Sequence, residues 1–202
     1  MSQSAHCGIE KTLKVSNGNR KIGEDTLILN MNAAMDCPSR ELGMCPLENP
    51  KRCYALKAER LYPQVLPYRR KQEAYWKATD AENIAQDLMA QMRLVPANIK
   101  YLRFSESGDF EKQEDVDKMV DISTILEENT DVTVYGYTAR KDLDFSNRPE
   151  NMVVTGSGFM VDNNFVTVDQ FTEDTKFKCP ANCRICNLCK QPKKRTIEVE
   201  LH

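Results

Sequence analysis

A chain of 202 residues, 41% hydrophobic and 29% charged, is long enough to bury one substantial core, and its formal net charge of −2 removes the sequence-independent pull behind avid nucleic-acid binding. It shows no apolar leader and no run of about 18 apolar residues, so a cytoplasmic location without membrane contact is expected. In that reducing compartment its 8 cysteines point to metal ligation ahead of disulfides.

Residues 26–32, Thr-Leu-Ile-Leu-Asn-Met-Asn, are a short β-rich apolar run and predict a buried strand. It feeds residues 33–53, where Pro38, Gly43, Pro46 and Pro50 predict a long loop, and long loops in compact domains usually carry function. The pattern turns helical at Tyr54, with a break expected over 63–67 and a longer helix over 69–92 that places Tyr75, Ile84, Leu88 and Met92 toward the core. A strand over 99–104 empties into Ser105-Glu-Ser-Gly-Asp109. A helix over 114–128 follows, with Val116, Met119, Val120 and Ile125 on one face and an acidic first turn suited to the helix dipole. Residues 132–135 and 152–155 predict further strands, and residues 196–201 alternate as an edge strand would.

Strands alternating with helices predict an α/β fold with a largely parallel sheet. The expected division is an α/β iron–sulfur core over 1–178 and a cysteine-rich metal-binding knuckle over 179–202. Ligands of such sheets gather at the carboxyl ends of strands. The first cysteine segment, residues 105–109 and residues 137–140 all follow predicted strands and should share one rim.

Cys37, Cys45 and Cys53 recur at intervals of eight, wider than the C-x2-C steps of zinc fingers. Three thiolates on one loop suit a 4Fe-4S cluster with one iron left unligated by the chain. Structural zinc with a fourth ligand such as Cys7 or His6 is the other reading. Cys179, Cys183, Cys186 and Cys189 read C-x3-C-x2-C-x2-C, and four soft ligands within eleven residues predict a second metal site, either an iron–sulfur cluster or zinc.

Other polar residues carry two readings each. Glu106 and Asp109, beside Ser105, Ser107 and Gly108, could hold a cofactor amine or act as acid and base; otherwise Asp109 and Glu111 merely open the next helix. Arg103 and Arg140 could meet phosphate or carboxylate, or serve as ordinary ion-pair partners. Tyr135 and Tyr137 could flank a pocket or fill the core. Residues 69–71, and Lys190 with residues 193–195, are basic clusters; the second abuts the knuckle, so local nucleic-acid contact stays open. His6 and His202 suggest no catalytic base.

A strand feeding a three-cysteine loop that ends Cys53-Tyr-Ala, then a helix, resembles the opening of radical SAM enzymes. The resemblance implies a partial barrel, a 4Fe-4S cluster on Cys37, Cys45 and Cys53, and S-adenosylmethionine at the fourth iron. Arg103-Phe-Ser-Glu-Ser-Gly-Asp-Phe110 stands where that superfamily carries its glycine-rich acidic motif, and Tyr135-Gly-Tyr-Thr-Ala-Arg140 follows in matching order. On this reading Ser105, Glu106, Ser107, Gly108, Asp109 and Arg140 would bind the cofactor. A closer resemblance, over about residues 21–190, is to an uncharacterised phage-encoded family, gene product eighty-eight. It rests on Cys-Pro, Cys-Tyr-Ala-Leu-Lys-Ala-Glu, Arg-Phe-Ser-Glu-Ser-Gly-Asp-Phe, Tyr-Thr-Ala-Arg and the terminal cysteines. The expected function is therefore a phage-encoded iron–sulfur enzyme acting in the host cytoplasm on a small-molecule or nucleotide-type substrate. The alternative is a non-catalytic binding or regulatory protein stapled by metal.

Overall fold

The computed structural model describes residues 15–47 and 49–200, and Cys7, His6 and His202 lie outside them. Seven strands form one sheet in chain order: β1 (Ser16–Asn17), β2 (Thr26–Leu29), β3 (Tyr101–Phe104), β4 (Thr133–Thr138), β5 (Met152–Ser157), β6 (Asn163–Val168) and β7 (Thr196–Glu200). Only β1 runs antiparallel to its neighbour; every later pair is parallel. The sheet is mixed α/β and mostly parallel as expected, and it runs from one edge at β1 to the other at β7.

Between β2 and β3 come α1 (Pro38–Glu41), α2 (Tyr54–Leu61), α3 (Val65–Ala78) and α4 (Ala81–Leu94); α5 (Gln113–Asn129) joins β3 to β4. When each right-handed crossover adds a strand at the same edge, the crossover helices must all fall on one face of the sheet. The core obeys this rule. Leu27, Leu29, Leu102, Phe104, Val134, Met152 and Val154 pack against Trp76, Ile84, Leu88, Met119, Ile122 and Leu126. Burying these side chains contributes roughly 1.5–3 kcal/mol each. Gly136 lets β4 approach β3, since a Cβ there would stand 1.8 Å from the Phe104 carbonyl oxygen.

The opposite face carries Tyr101 and Arg103 from β3 and Tyr135 and Tyr137 from β4, because side chains alternate along a strand. The segment between β6 and β7, which holds the four C-terminal cysteines, lies against this face. Lys190 sits 3.7 Å over the Tyr101 ring and 5.7 Å over that of Tyr135, and the Cys183 N–H donates to the Lys21 carbonyl.

Three local expectations change. The single helix over 69–92 is two helices, because Thr79 leaves helical geometry and the Asp80 side chain caps α4 by accepting from Asn83 N–H. Pro67 does not break the chain: it falls in the first turn of α3, where its missing N–H has no helical acceptor. The loop over 33–53 contains α1 and two single 3-10 turns, and prolines open α1 and the second turn, at Pro38 and Pro50. Strand β6 carries no clean alternation and was not foreseen, since most of its residues are half-buried on both faces.

Candidate metal centre and the carboxyl rim

The ends of β2, β3 and β4 meet at one rim, and two asparagines after β2 tie them together. The Asn30 side-chain oxygen accepts from the N–H groups of Glu106 and Ser107, at 2.8 and 2.9 Å. The Asn32 side chain accepts from Asp109 N–H and donates to the Asp109 carbonyl, at 2.9 and 2.7 Å. Gly108 makes this grip possible. Its φ is +76°, and a Cβ there would stand 1.5 Å from the Asn32 side-chain oxygen.

Asp109 is the hub of the rim. Its carboxylate, 4% exposed, accepts from the Ser39 hydroxyl and from the N–H groups of Phe110 and Ala139. Burial raises its pKa, and these donors partly offset the rise. The Ser105 hydroxyl accepts from Met31 N–H, and the Ser107 hydroxyl donates to the Asn32 carbonyl. Arg140 is engaged at all three nitrogens. It forms a two-pronged pair with Asp142 and donates to the carbonyls of Phe110 and Glu111. Of the six residues expected to bind cofactor, only Glu106 keeps a partly exposed charged group, which accepts from Asn19 and lies 3.9 Å from Arg69.

The first cysteine loop hangs from this rim. Glu59 of α2 is buried and accepts from Ala34 and Met35 N–H, and it pairs with the buried Arg69 at 2.9 Å. Arg69 also donates to the Ala55 carbonyl, so the two ends of the loop are clamped by one ion pair. Cys37 and Cys53 each occupy the residue before a helix, α1 and α2. Burial raises the Cys37 thiol to about 11, against donation to its sulfur by the N–H groups of Arg40 and Ser39. Cys45 is raised for the same reason, receives a hydrogen bond from Leu47 N–H, and feels the charge of Cys53.

At the knuckle, burial raises Cys189 to about 12; the Tyr137 hydroxyl donates to its sulfur, and the neighbouring Cys179, Cys183 and Cys186 push its pKa up further. Cys179 is likewise raised by burial and receives the Ala181 N–H. Lys190, only 7% exposed, donates to the Cys183 carbonyl and forms no close ion pair among the described residues; Asp25 is the carboxylate that acts on it.

The seven described cysteines thus form two neighbourhoods, all as free thiols. Soft sulfurs, N–H and O–H donors to them and a buried cation are the donor chemistry of cysteine-ligated centres. Among the described residues, no three Cys, His, Asp or Glu side chains are drawn into ligating geometry. No described helix is long and apolar enough to cross a membrane.

A family model described as gene product 88 matches residues 10–178. The chain belongs to this family. The match bears out the phage gene product resemblance and lends nothing to the radical SAM one; it ends just before the terminal cysteines. No curated protein and no solved structure matches the chain.

Nothing in the sequence singled out Asn30, Asn32 or Glu59, and Lys190 read there as part of a basic cluster and not as a buried cation. Asn30 and Asn32 sit in an apolar run that reads as strand, and two amides just past a strand end are the signal that was there to use. Glu59 stands one turn after Ala55 in an otherwise ordinary amphipathic helix, and nothing local distinguishes it.

Proposed function

We propose that this chain is a cysteine-ligated iron–sulfur protein. Cys37, Cys45 and Cys53 hold one centre at the carboxyl rim, and Cys179, Cys183, Cys186 and Cys189 hold a second against the far face of the sheet. The observation that carries the reading is Lys190. An ammonium buried without an ion-pair partner is disfavoured by several kcal/mol, and the groups acting on it are Asp25 first and then Cys183, Cys186 and Cys189. Four thiolates around a metal outweigh the metal's charge, so an occupied knuckle adds negative charge on the cysteine side of the ammonium.

When bound, a cluster would supply one-electron chemistry. The chain's own contribution is to fix the loop through Glu59 and Arg69 and to hydrogen-bond the sulfurs, which tunes a cluster's potential. In the enzymatic form of this reading, three thiolates leave one iron open to S-adenosylmethionine, and Glu106 is the rim carboxylate best placed to receive its amine. Zinc at the knuckle is the second reading, favoured by the tight C-x3-C-x2-C-x2-C spacing.

Anaerobic purification with iron, sulfide and zinc analysis tests the proposal. Brown protein carrying iron and sulfide, lost at the first centre in Cys37→Ser, Cys45→Ser or Cys53→Ser, is the expected result. Colourless protein with stoichiometric zinc at both sites overturns it. EPR of the dithionite-reduced protein, with and without S-adenosylmethionine, separates the enzymatic form from a closed centre.

A further inference from the structure

Between the sheet and the knuckle lies a layer of polar groups that the fold leaves without partners. The Arg103 Nε, the Tyr135 hydroxyl and the Thr155 hydroxyl are each buried and without a hydrogen bond among the described residues. Sheet register puts them together: Arg103 is paired across to Tyr135, and Tyr137 to Thr155, so all lie on the knuckle face of β3, β4 and β5. Tyr135 is 2% exposed and Thr155 is fully buried, so bulk water does not satisfy them. Buried polar groups are almost always paired, and three orphans on one face call for a common explanation.

The three orphans share a chemistry, since each can donate a hydrogen bond. The Arg103 guanidinium forms no ion pair among the described residues; its one hydrogen bond, to the Tyr54 hydroxyl, is long at 3.4 Å, and it lies 5.3 Å over the Tyr137 ring. Glu106, the carboxylate that influences it, is engaged with Asn19. By contrast, every donor nitrogen of Arg140 is occupied. Tyr54 marks the mouth. The residue is 58% exposed, while its hydroxyl donates to the Glu106 carbonyl at 2.7 Å and desolvation raises its pKa.

We infer that this layer binds an oxyanion, with the Arg103 guanidinium as the charged anchor and the Tyr135 and Thr155 hydroxyls as flanking donors. The ligand is a small molecule carrying a carboxylate or a phosphate group, entering beside Tyr54. Such a planar guanidinium, stacked on an aromatic ring and lacking a protein carboxylate, is suited to two-pronged oxyanion recognition. The site lies between Cys53, which precedes Tyr54, and Cys189, which accepts from Tyr137, so a bound substrate would touch the surroundings of both cysteine groups.

Calorimetric titration of the full chain with inorganic phosphate and with malonate tests this, with metal content measured on the same samples. At least one anion should bind, phosphate tighter for a phosphorylated substrate and malonate tighter for a carboxylate one. Arg103→Gln should weaken binding about tenfold or more, while Arg60→Gln, on the exposed side of α2, should leave it unchanged. Tyr135→Phe keeps the ring and removes only the orphaned hydroxyl, so it reads the site even if Arg103→Gln does not fold; it should weaken binding severalfold. Failure of both anions to bind, or equal binding by wild type and Tyr135→Phe, overturns the inference. Protein that carries metal and binds neither anion overturns this inference alone and leaves the metal reading standing.

Discussion

The two cysteine regions are held in opposite ways. The first loop is fastened by internal polar contacts: Glu59 and Arg69 clamp its ends, and Ser39 within it is tied to Asp109 of the rim. The knuckle leans on its surroundings, through Lys190 on the Tyr101 ring, Tyr137 on Cys189 and Cys183 on Lys21. Its own apolar side chains do little, and Ile185 is 80% exposed. A metal at the first loop would therefore meet a shaped site, whereas one at the knuckle would organise the segment that binds it.

The strongest way to break the contrast is Glu59→Ala. It leaves Arg69 buried without its partner and frees two N–H groups, for an expected loss of about 3–5 kcal/mol in urea unfolding. Thiol labelling under native conditions should rise at Cys37 and Cys45 and stay unchanged at Cys189. Equal rises at all three would mean that the regions are not separate.

Gly108→Ala should cost about 2 kcal/mol or more, from left-handed backbone strain and the clash with Asn32. The readout is the shift in urea midpoint at constant slope. A neutral result would show that the Asn32 grip does not hold the rim.

Lys190→Met sharpens the comparison from the knuckle side. Without metal, losing a buried unpaired cation offsets the lost ring contact, and stability should stay within about 1 kcal/mol of wild type. With metal bound, the same variant should be less stable than wild type. Thermal melts with and without chelator give both values, and identical shifts in the two states would remove the charge-balance argument.

The smallest effect is the pH dependence of Asp109. Because burial raises its pKa, the folded chain holds this proton to higher pH than the unfolded chain does. The stability it contributes is present below the ordinary carboxylate pKa of about 4 and is lost as pH rises through the raised value. Wild type should therefore lose stability relative to Asp109→Asn as pH rises above about 4. The slope of that difference against pH is the readout, and an upward slope would contradict the desolvated environment.

Local pattern alone carried much of the architecture. Apolar β-rich runs located β2, β3, β4, β5 and β7, the alternation with helices implied a parallel sheet, and the two cysteine groups and the shared rim followed from order along the chain. Those signals are short-range: periodicity, turn residues and spacing act within a few turns of chain. What the sequence could not decide is which polar groups end up satisfied. Ser105, Ser107 and Asp109 looked free to bind a ligand and are taken up by contacts 30 or more residues away, such as Ala139 to Asp109 at |i−j| of 30 and Asn32 to Asp109 at 77, whereas Arg140 is taken up both by the neighbouring Asp142 and by the Phe110 carbonyl 30 residues away. Arg103 and Arg140 carried the same two readings in the sequence, and only Arg103 is left without an ion pair among the described residues. Whether a donor is spent or available depends on what the tertiary fold brings to it from distant parts of the chain, and no local pattern records that.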